Sequence, residues 1–425
     1  MSDAIPTATK PPRERALDVL RGLAIAAMIL VNAADSEVTP AWLKHAPPGT
    51  NGMTFADAVF PAFIVAMGMS VPLALSRALA RGTSRREVFL DVLRRTASLL
   101  VMGVFMVARE DNTVGGEQIW TGLMFLAFFA TWLEVPRRDS PRRRWFIAAN
   151  VIGLALLLAL AGTYRGPAGE LLVFDPLIHP DATVWVRHGW WGILGSLGWV
   201  YLVVASLYLL FGGRPLAMLV AIPLTLGLYA LETAGLLDPS PADAPFRLVD
   251  PLLWIHGHVS FGHQLGVFAA MGLFGGVLGT MMVRPKGKER LVPTAIALTV
   301  AALVAALALF PVYGVSKHGG TPSWALFSVA ITIALWLGLR YAVDGKGWTR
   351  GLGAIEEAGK SPLTAYVLHP LVQGPLVYAA FRIGIVPEVS AAAAAWLVPL
   401  GAVLMTVFII HATGWLARHR VRLRV

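Results

Sequence analysis

An all-α, polytopic membrane bundle of about eleven to twelve helices, with both termini cytoplasmic, is the fold this sequence predicts. Three observations predict it. Of 425 residues, 56% are hydrophobic and only 14% charged, and the mean hydropathy is +0.66; a soluble domain carries about 25% charged residues. No polar stretch is long enough to fold as a separate soluble domain. The charges that remain fall in loops that alternate in sign along the chain.

A membrane-spanning helix needs roughly 20 apolar residues. Twelve segments qualify: 16–34, 54–76, 90–108, 117–135, 145–162, 190–211, 215–235, 259–283, 291–313, 322–342, 361–382 and 391–416. With the N-terminus inside, the inside loops hold Arg77, Arg81, Arg85 and Arg86, then Arg137, Arg138 and Arg142 to Arg144, then Arg214, then Arg284, Lys286, Lys288 and Arg290, then Lys346 and Arg350, and last Arg418 to Arg424. The outside loops hold Glu110, Asp111, Glu117, Asp175, Asp181, Asp238, Asp243 and Asp250. This is the positive-inside pattern, and an error of one span would have inverted it. Residues 1–14 are polar and proline-rich and read as a disordered cytoplasmic tail; 15–425 forms a single transmembrane domain. No cleavable signal peptide is evident, because the first apolar segment is too long and lacks a small-residue cleavage site.

The net charge of +10 is therefore topological and does not point to nucleic acid. It gives the cytoplasmic face an attraction for anionic lipid or an anionic cofactor. The absence of cysteine excludes disulfides, thiol chemistry and Cys-ligated metal. Pro61 and Pro72 interrupt the second span, and Pro362 and Pro370 the eleventh, which membrane helices tolerate. No internal repeat is evident, which disfavours transporter folds built on inverted repeats.

Polar groups inside membrane helices are costly and usually functional. On the first helix Asp18, Arg21, Ile25, Met28 and Asn32 share one face at 100° per residue. Asp18 and Arg21 can pair at i, i+3, and a guanidinium at a helix start also suits a phosphate. His45 lies in the outer loop, between Lys44 and Ala46-Pro47-Pro48, with an unperturbed pKa near 6.5 that suits a general base. Asp57 follows near the outer end of the next helix; it either orients that imidazole or only favours a helix N-terminus. The eleventh span opens Gly359-Lys360-Ser361-Pro362, and Pro362, Tyr366, His369 and Gln373 share a face. An intramembrane histidine such as His369 is a site candidate or an interhelical hydrogen bond. His256-Gly257-His258 with His263 has the donors for zinc, but no acidic fourth ligand lies at helical spacing, so no metal is expected. Trp190 and Trp191 read as interfacial.

Three stretches resemble the heparan-α-glucosaminide N-acetyltransferase-like family of membrane acetyltransferases, within the wider transmembrane acyltransferases. They are Arg15 to Gly22 with Val31-Asn32; Lys44-His45-Ala46 with Asn51-Gly52-Met53-Thr54 through Asp57 and Pro61 to Gly68; and Val315-Ser316-Lys317 with Thr321-Pro322-Ser323-Trp324. The stretch from Gly359 to His369 also fits, whereas about 110–250 matches poorly. The family's large extracytoplasmic domain has no counterpart, and Pro47-Pro48 departs from its site loop. The resemblance implies acetyl-CoA as donor, His45 as the catalytic histidine, and transfer from the cytoplasm to a sugar amine across the membrane. It permits a homodimer.

The reading is a membrane-embedded acetyl- or acyltransferase. Acetyl-CoA is the donor, and a sugar or glycan amine or hydroxyl at the outer face is the acceptor. His45 is general base or acetyl carrier, Asn32 donates to the oxyanion, and Asp57 and His369 orient groups around them. Arg15, Asp18, Arg21, Arg85, Arg94, Lys360 and Ser361 are the donor-binding candidates, since guanidiniums pair bidentately with phosphate oxygens. The alternative is a polytopic transporter or flippase for a polar or anionic solute.

Overall fold

The computed structural model describes residues 14–111, 117–165, 173–174, 183–184, 192–237, 259–382 and 390–425. The tail 1–13, the pairs Trp190–Trp191 and His256–His258, and Asp175, Asp181, Asp238, Asp243 and Asp250 lie outside them. Each of the twelve expected spans corresponds to a helix: α1 Arg15–Ala33, α2 Phe55–Ala80, α3 Arg85–Asp111, α4 Glu117–Thr131, α5 Arg143–Thr163, α6 Ile193–Leu210, α7 Pro215–Thr233, α8 Ala269–Val283, α9 Leu291–Tyr313, α10 Pro322–Leu339, α12 Pro362–Arg382 and α13 Ala391–Arg418, with a short α11 over Gly353–Lys360 before α12. Phe261–Phe268 leads into α8 as a π-helical segment, and Arg340–Gly345 extends α10 in the same form. Two-residue strands, Val173–Phe174 and Thr183–Val184, pair antiparallel. Among the described residues nine helices are long and apolar enough to cross a membrane; α3 is charged through its first turns and α4 is only 15 residues long. The chain is a multi-pass integral membrane protein.

The centre of the bundle is α8. Within Phe261–Val283, 89% of the most apolar 18-residue stretch is buried, against 17% of the corresponding stretches of α5, α7 and α13, whose apolar faces point outward. Small residues make that central position reachable. A Cβ on Gly275 would run into the Val65 carbonyl and one on Gly279 into the Met69 carbonyl, so α2 and α8 approach backbone to backbone. Membrane helices gain little from burying apolar surface against each other, so such contacts rely on close van der Waals packing.

The start of α1 has no side-chain cap of its own. A helix N-terminus leaves backbone donors unpaired and favours negative charge, and distant carboxylates supply it here. Asp344 Oδ1 accepts from Ala16 N at 3.3 Å, Glu356 Oε2 pairs with Arg15 at 2.7 Å, and Arg340 holds Glu14 at 2.8 Å. Burial alone would raise the Glu356 carboxyl, but hydrogen bonds from Arg15 and Lys360 hold it below the usual range. After α13 the chain returns along α4 and α12, where Leu423 N donates to Thr364 Oγ1 at 2.9 Å and Arg424 pairs with Glu134 at 3.0 Å.

Gly275→Leu will lower the detergent melting temperature by several degrees, since overpacking a tight contact costs about 1–3 kcal/mol. Gly338→Leu, where an added side chain meets nothing within 4 Å, will leave it unchanged. Equal melting temperatures for both variants would contradict the α2–α8 contact.

Candidate functional site

The loop after α1 is fastened to the first turn of α2, and that fastening aims His45. Thr54 Oγ1 donates to the Lys44 carbonyl at 2.6 Å, and Ala46 N donates to Asp57 Oδ2 at 3.2 Å. His45, between those two anchors, sets Nδ1 2.8 Å from Asp57 Oδ1. The imidazole is 38% exposed and the carboxylate not at all. A buried charge is tolerated only when paired and hydrogen-bonded. Asp57 meets that condition: Oδ2 also accepts from Thr54 N at 2.9 Å, with Thr54 Oγ1 3.2 Å away, while Oδ1 is left for the histidine. The residue therefore caps α2 through one oxygen and meets the His45 ring through the other.

Beneath this pair an edge-to-face chain of Phe60, Phe268 and Trp324 joins α2, the π segment and α10. Trp324 Nε1 donates to the Asp57 carbonyl at 3.0 Å. Residues 314–321, between α9 and α10, lie over the site. Gly52 N donates to the Val315 carbonyl and Val315 N to Asn51 Oδ1, both at 2.8 Å. Gly314 there has φ +64° with Asn51 against it, a turn that favours glycine. This loop brings Lys317 Nζ to 2.9 Å from His45 Nε2 and 3.0 Å from Nδ1. Burial lowers the proton affinity of the Lys317 amine, against the pull of Asp57. Nothing in residue type or spacing links positions 45 and 317; only membership of the stretch Val315-Ser316-Lys317 in the resemblance hinted at it.

At the opposite end of α1 lies a cavity of about 1230 Å³. Arg21, Arg77, Arg81, Arg95, Lys360 and Arg424 stand in its wall with Asp18 and Glu14. Arg21 bridges Asp18 and, at 3.1 Å, Ser70 Oγ of α2. Ser361 Oγ, in the same wall, is buried with no partner among the described residues. Deeper in, the lining turns apolar with Ile25, Met28, Phe63, Met67 and Leu99. A second cavity of about 40 Å³ is lined by Val31, Asn32, Asp35, Thr39, Lys44 and His45. One face of α1 thus passes from Arg21 to Asn32, about 16 Å at 1.5 Å per residue. Only Ile29 and Leu30 separate the two linings along that helix.

Not every candidate reaches these cavities. Arg15 is engaged by Glu356 and does not line the larger one. Arg94 is exposed and pairs with Asp91 at 3.5 Å, and exposed Arg85 lies near Gly212. Val88, Val92, Thr96 and Leu99 are the buried face of α3, and Arg95, one residue or 100° from Arg94, is the side chain in register with it. His369 is buried, its Nε2 has no partner among the described residues, and it lines neither cavity. It projects from α12, which packs on α4, α13 and α1. His263 meets an acidic partner from another helix, Glu232 of α7, at 3.2 Å. Among the described residues no group of three His, Cys, Asp or Glu is placed to hold a metal.

Asp57→Ala leaves the donors of Ala46 and Thr54 without their acceptor, at about 1–3 kcal/mol for each buried group. Thermal unfolding in detergent will show Asp57→Ala clearly less stable than wild type and His45→Ala close to it. The reverse order would contradict the capping role.

A family model described as "Domain of unknown function (DUF5009)" matches residues 13–226. The chain is 36% identical over 110 residues to heparan-alpha-glucosaminide N-acetyltransferase of Homo sapiens, a match covering 26% of this chain and 16% of the relative. It is 36% identical over 108 residues to the Mus musculus protein of the same name, covering 25% and 16%. The chain thus spans about a sixth of the length of these relatives. With half of its length under one family model, this membrane bundle belongs to the DUF5009 family and is heparan-α-glucosaminide N-acetyltransferase-like.

Proposed function

We propose that the chain is a membrane-embedded acyltransferase that takes an acetyl group from acetyl-CoA in the larger cavity and delivers it to an amine or hydroxyl of a sugar or glycan acceptor on the His45 side. One observation carries this reading: a single face of α1 lines both a basic cavity with an apolar depth and the small cavity at His45. Such a cavity suits a donor with a phosphate-bearing head and a slender, less polar arm. The names of the two relatives, both N-acetyltransferases acting on a glucosaminide, support the same reaction class. The positive-inside charge pattern supports donor binding from the cytoplasm.

In this reading Arg21, Arg77, Arg81 and Arg95 hold phosphate oxygens through charge-assisted hydrogen bonds, with Lys360 and Ser361 beside them. The arm of the donor runs along Ile25, Met28 and Phe63 toward Asn32. Asp57 fixes the His45 tautomer with the proton on Nδ1, which leaves Nε2 as the base. The acceptor nitrogen or oxygen attacks the thioester carbon, its proton passes to Nε2, and the CoA thiolate leaves. Asn32 donates to the oxyanion while it exists. In the covalent variant Nε2 itself takes the acetyl group before the acceptor arrives.

The deciding experiment supplies labelled acetyl-CoA and a panel of amino sugars to the purified protein in detergent. His45→Ala will lose at least about 10²-fold in turnover, the scale of general-base catalysis, with donor affinity retained. Arg21→Gln and Arg95→Gln will weaken donor binding about tenfold or more. Absence of acetyl-CoA binding in the folded protein overturns the reading in favour of solute transport. Label exchange between CoA and acetyl-CoA without acceptor assigns the covalent route, and its absence direct transfer.

A further inference from the structure

Lys317 and a half-buried cluster behind it have no part in that chemistry. The cluster sits where the end of α7 meets the π segment. Glu232 accepts from Gly262 N at 2.7 Å and from Ser260 Oγ at 3.1 Å, and its Oε1 lies 3.2 Å from His263 Nδ1. The other ring nitrogen of His263 lies 3.0 Å from the Gly319 carbonyl, and Tyr229 Oη donates to that same oxygen at 2.9 Å. Two side chains from two helices thus converge on one carbonyl, two residues after Lys317. The next residue, Gly320, has φ +53°, and a Cβ there would strike the His263 ring, so loop and histidine are in closest contact.

We propose that Lys317 is a working member of the His45 site, a positioned cation that offsets the Asp57 carboxylate at the imidazole, and that the Glu232–His263 pair is the clamp that seats it. A buried carboxylate 2.8 Å from an imidazole favours the imidazolium, yet a base or nucleophile must begin neutral. An ammonium within 3.0 Å of both ring nitrogens acts in the opposite sense. Holding it there is unfavourable for the lysine, which gives up solvent to do so. The loop that carries it is fixed at both ends, by Asn51 and Gly52 on one side and by Tyr229 and His263 on the other. The other charges near His45 do not substitute for it. Asp35 and Lys44 line the same small cavity, but Lys44 Nζ is engaged by the Glu37 carbonyl at 2.8 Å. Exposed His318 is the neighbour of Lys317 in the loop, and Glu232 and His263 stand behind the Gly319 carbonyl.

The role assigned to Lys317 in turnover rests on His45 being the reacting base, but its charge coupling to His45 can be read without turnover. The test follows carbethoxylation of His45 by diethyl pyrocarbonate against pH in the full-length protein in detergent, read by peptide mass spectrometry. Lys317→Gln will raise the midpoint for His45 by about one pH unit, because removing a neighbouring cation favours the imidazolium. Lys317→Arg, which keeps the charge, will stay near wild type. His263→Gln will move the midpoint in the same direction as Lys317→Gln, and Tyr229→Phe, the milder variant should His263→Gln not fold, will do so by less. An unmoved midpoint in folded Lys317→Gln overturns the proposal. A shift in Lys317→Gln with none in His263→Gln or Tyr229→Phe overturns the clamp. Acyl transfer is measured on the same samples: no turnover in wild type would sink the acyltransferase reading and leave the His45 titration to decide this one.

Discussion

Asp57 holds a carboxylate at zero exposure at the head of a membrane helix, and the local structure around it follows from how that charge is satisfied. Its backbone carbonyl is tied to Trp324 of α10, one oxygen closes the first turn of α2 and anchors Ala46, and the other faces His45. Three chain segments meet at a single residue. An apolar replacement of equal volume would leave the loop without its anchor, so the pairing specifies where the loop lies as much as it contributes to stability.

The same economy applies to α1. Its start is held by acids that lie more than 300 positions away in the chain, Asp344 on the Ala16 amide and Glu356 on the Arg15 side chain. Its middle carries the wall of the basic cavity and its end the wall of the small one. Because α11 docks on it through Gly22 and Gly359, where any side chain would collide with backbone, the helix cannot shift along its axis without breaking that contact.

Much of this was legible in the residues. Hydropathy and loop charge located the twelve helices because a bilayer demands long apolar segments and self-satisfied backbones. The 3.6-residue period put Asp18, Arg21, Ile25, Met28 and Asn32 on one face, and that face lines the cavities. Less legible was the choice among neighbours. Arg94 and Arg95 look alike in sequence, and only the packing of α3 on α6 turns one inward. The pairing of Lys317 with His45 and of Glu232 with His263 was hidden for a different reason: long-range contacts between loop and helix ends leave no periodic trace. His369 looked like a site residue because intramembrane histidines usually are, yet α12 carries it to a flank.

The thin layer at Ile29 and Leu30 also has an electrical meaning. Where two hydrated cavities approach each other, a transmembrane voltage falls mainly across the dry material between them. Moving one elementary charge through 100 mV involves about 2.3 kcal/mol. A neutral group passes such a septum with no electrical work, whereas a charged group crosses it only with work that scales with its charge. The layer at Ile29 and Leu30 is in that sense an electrical insulator between the two cavities.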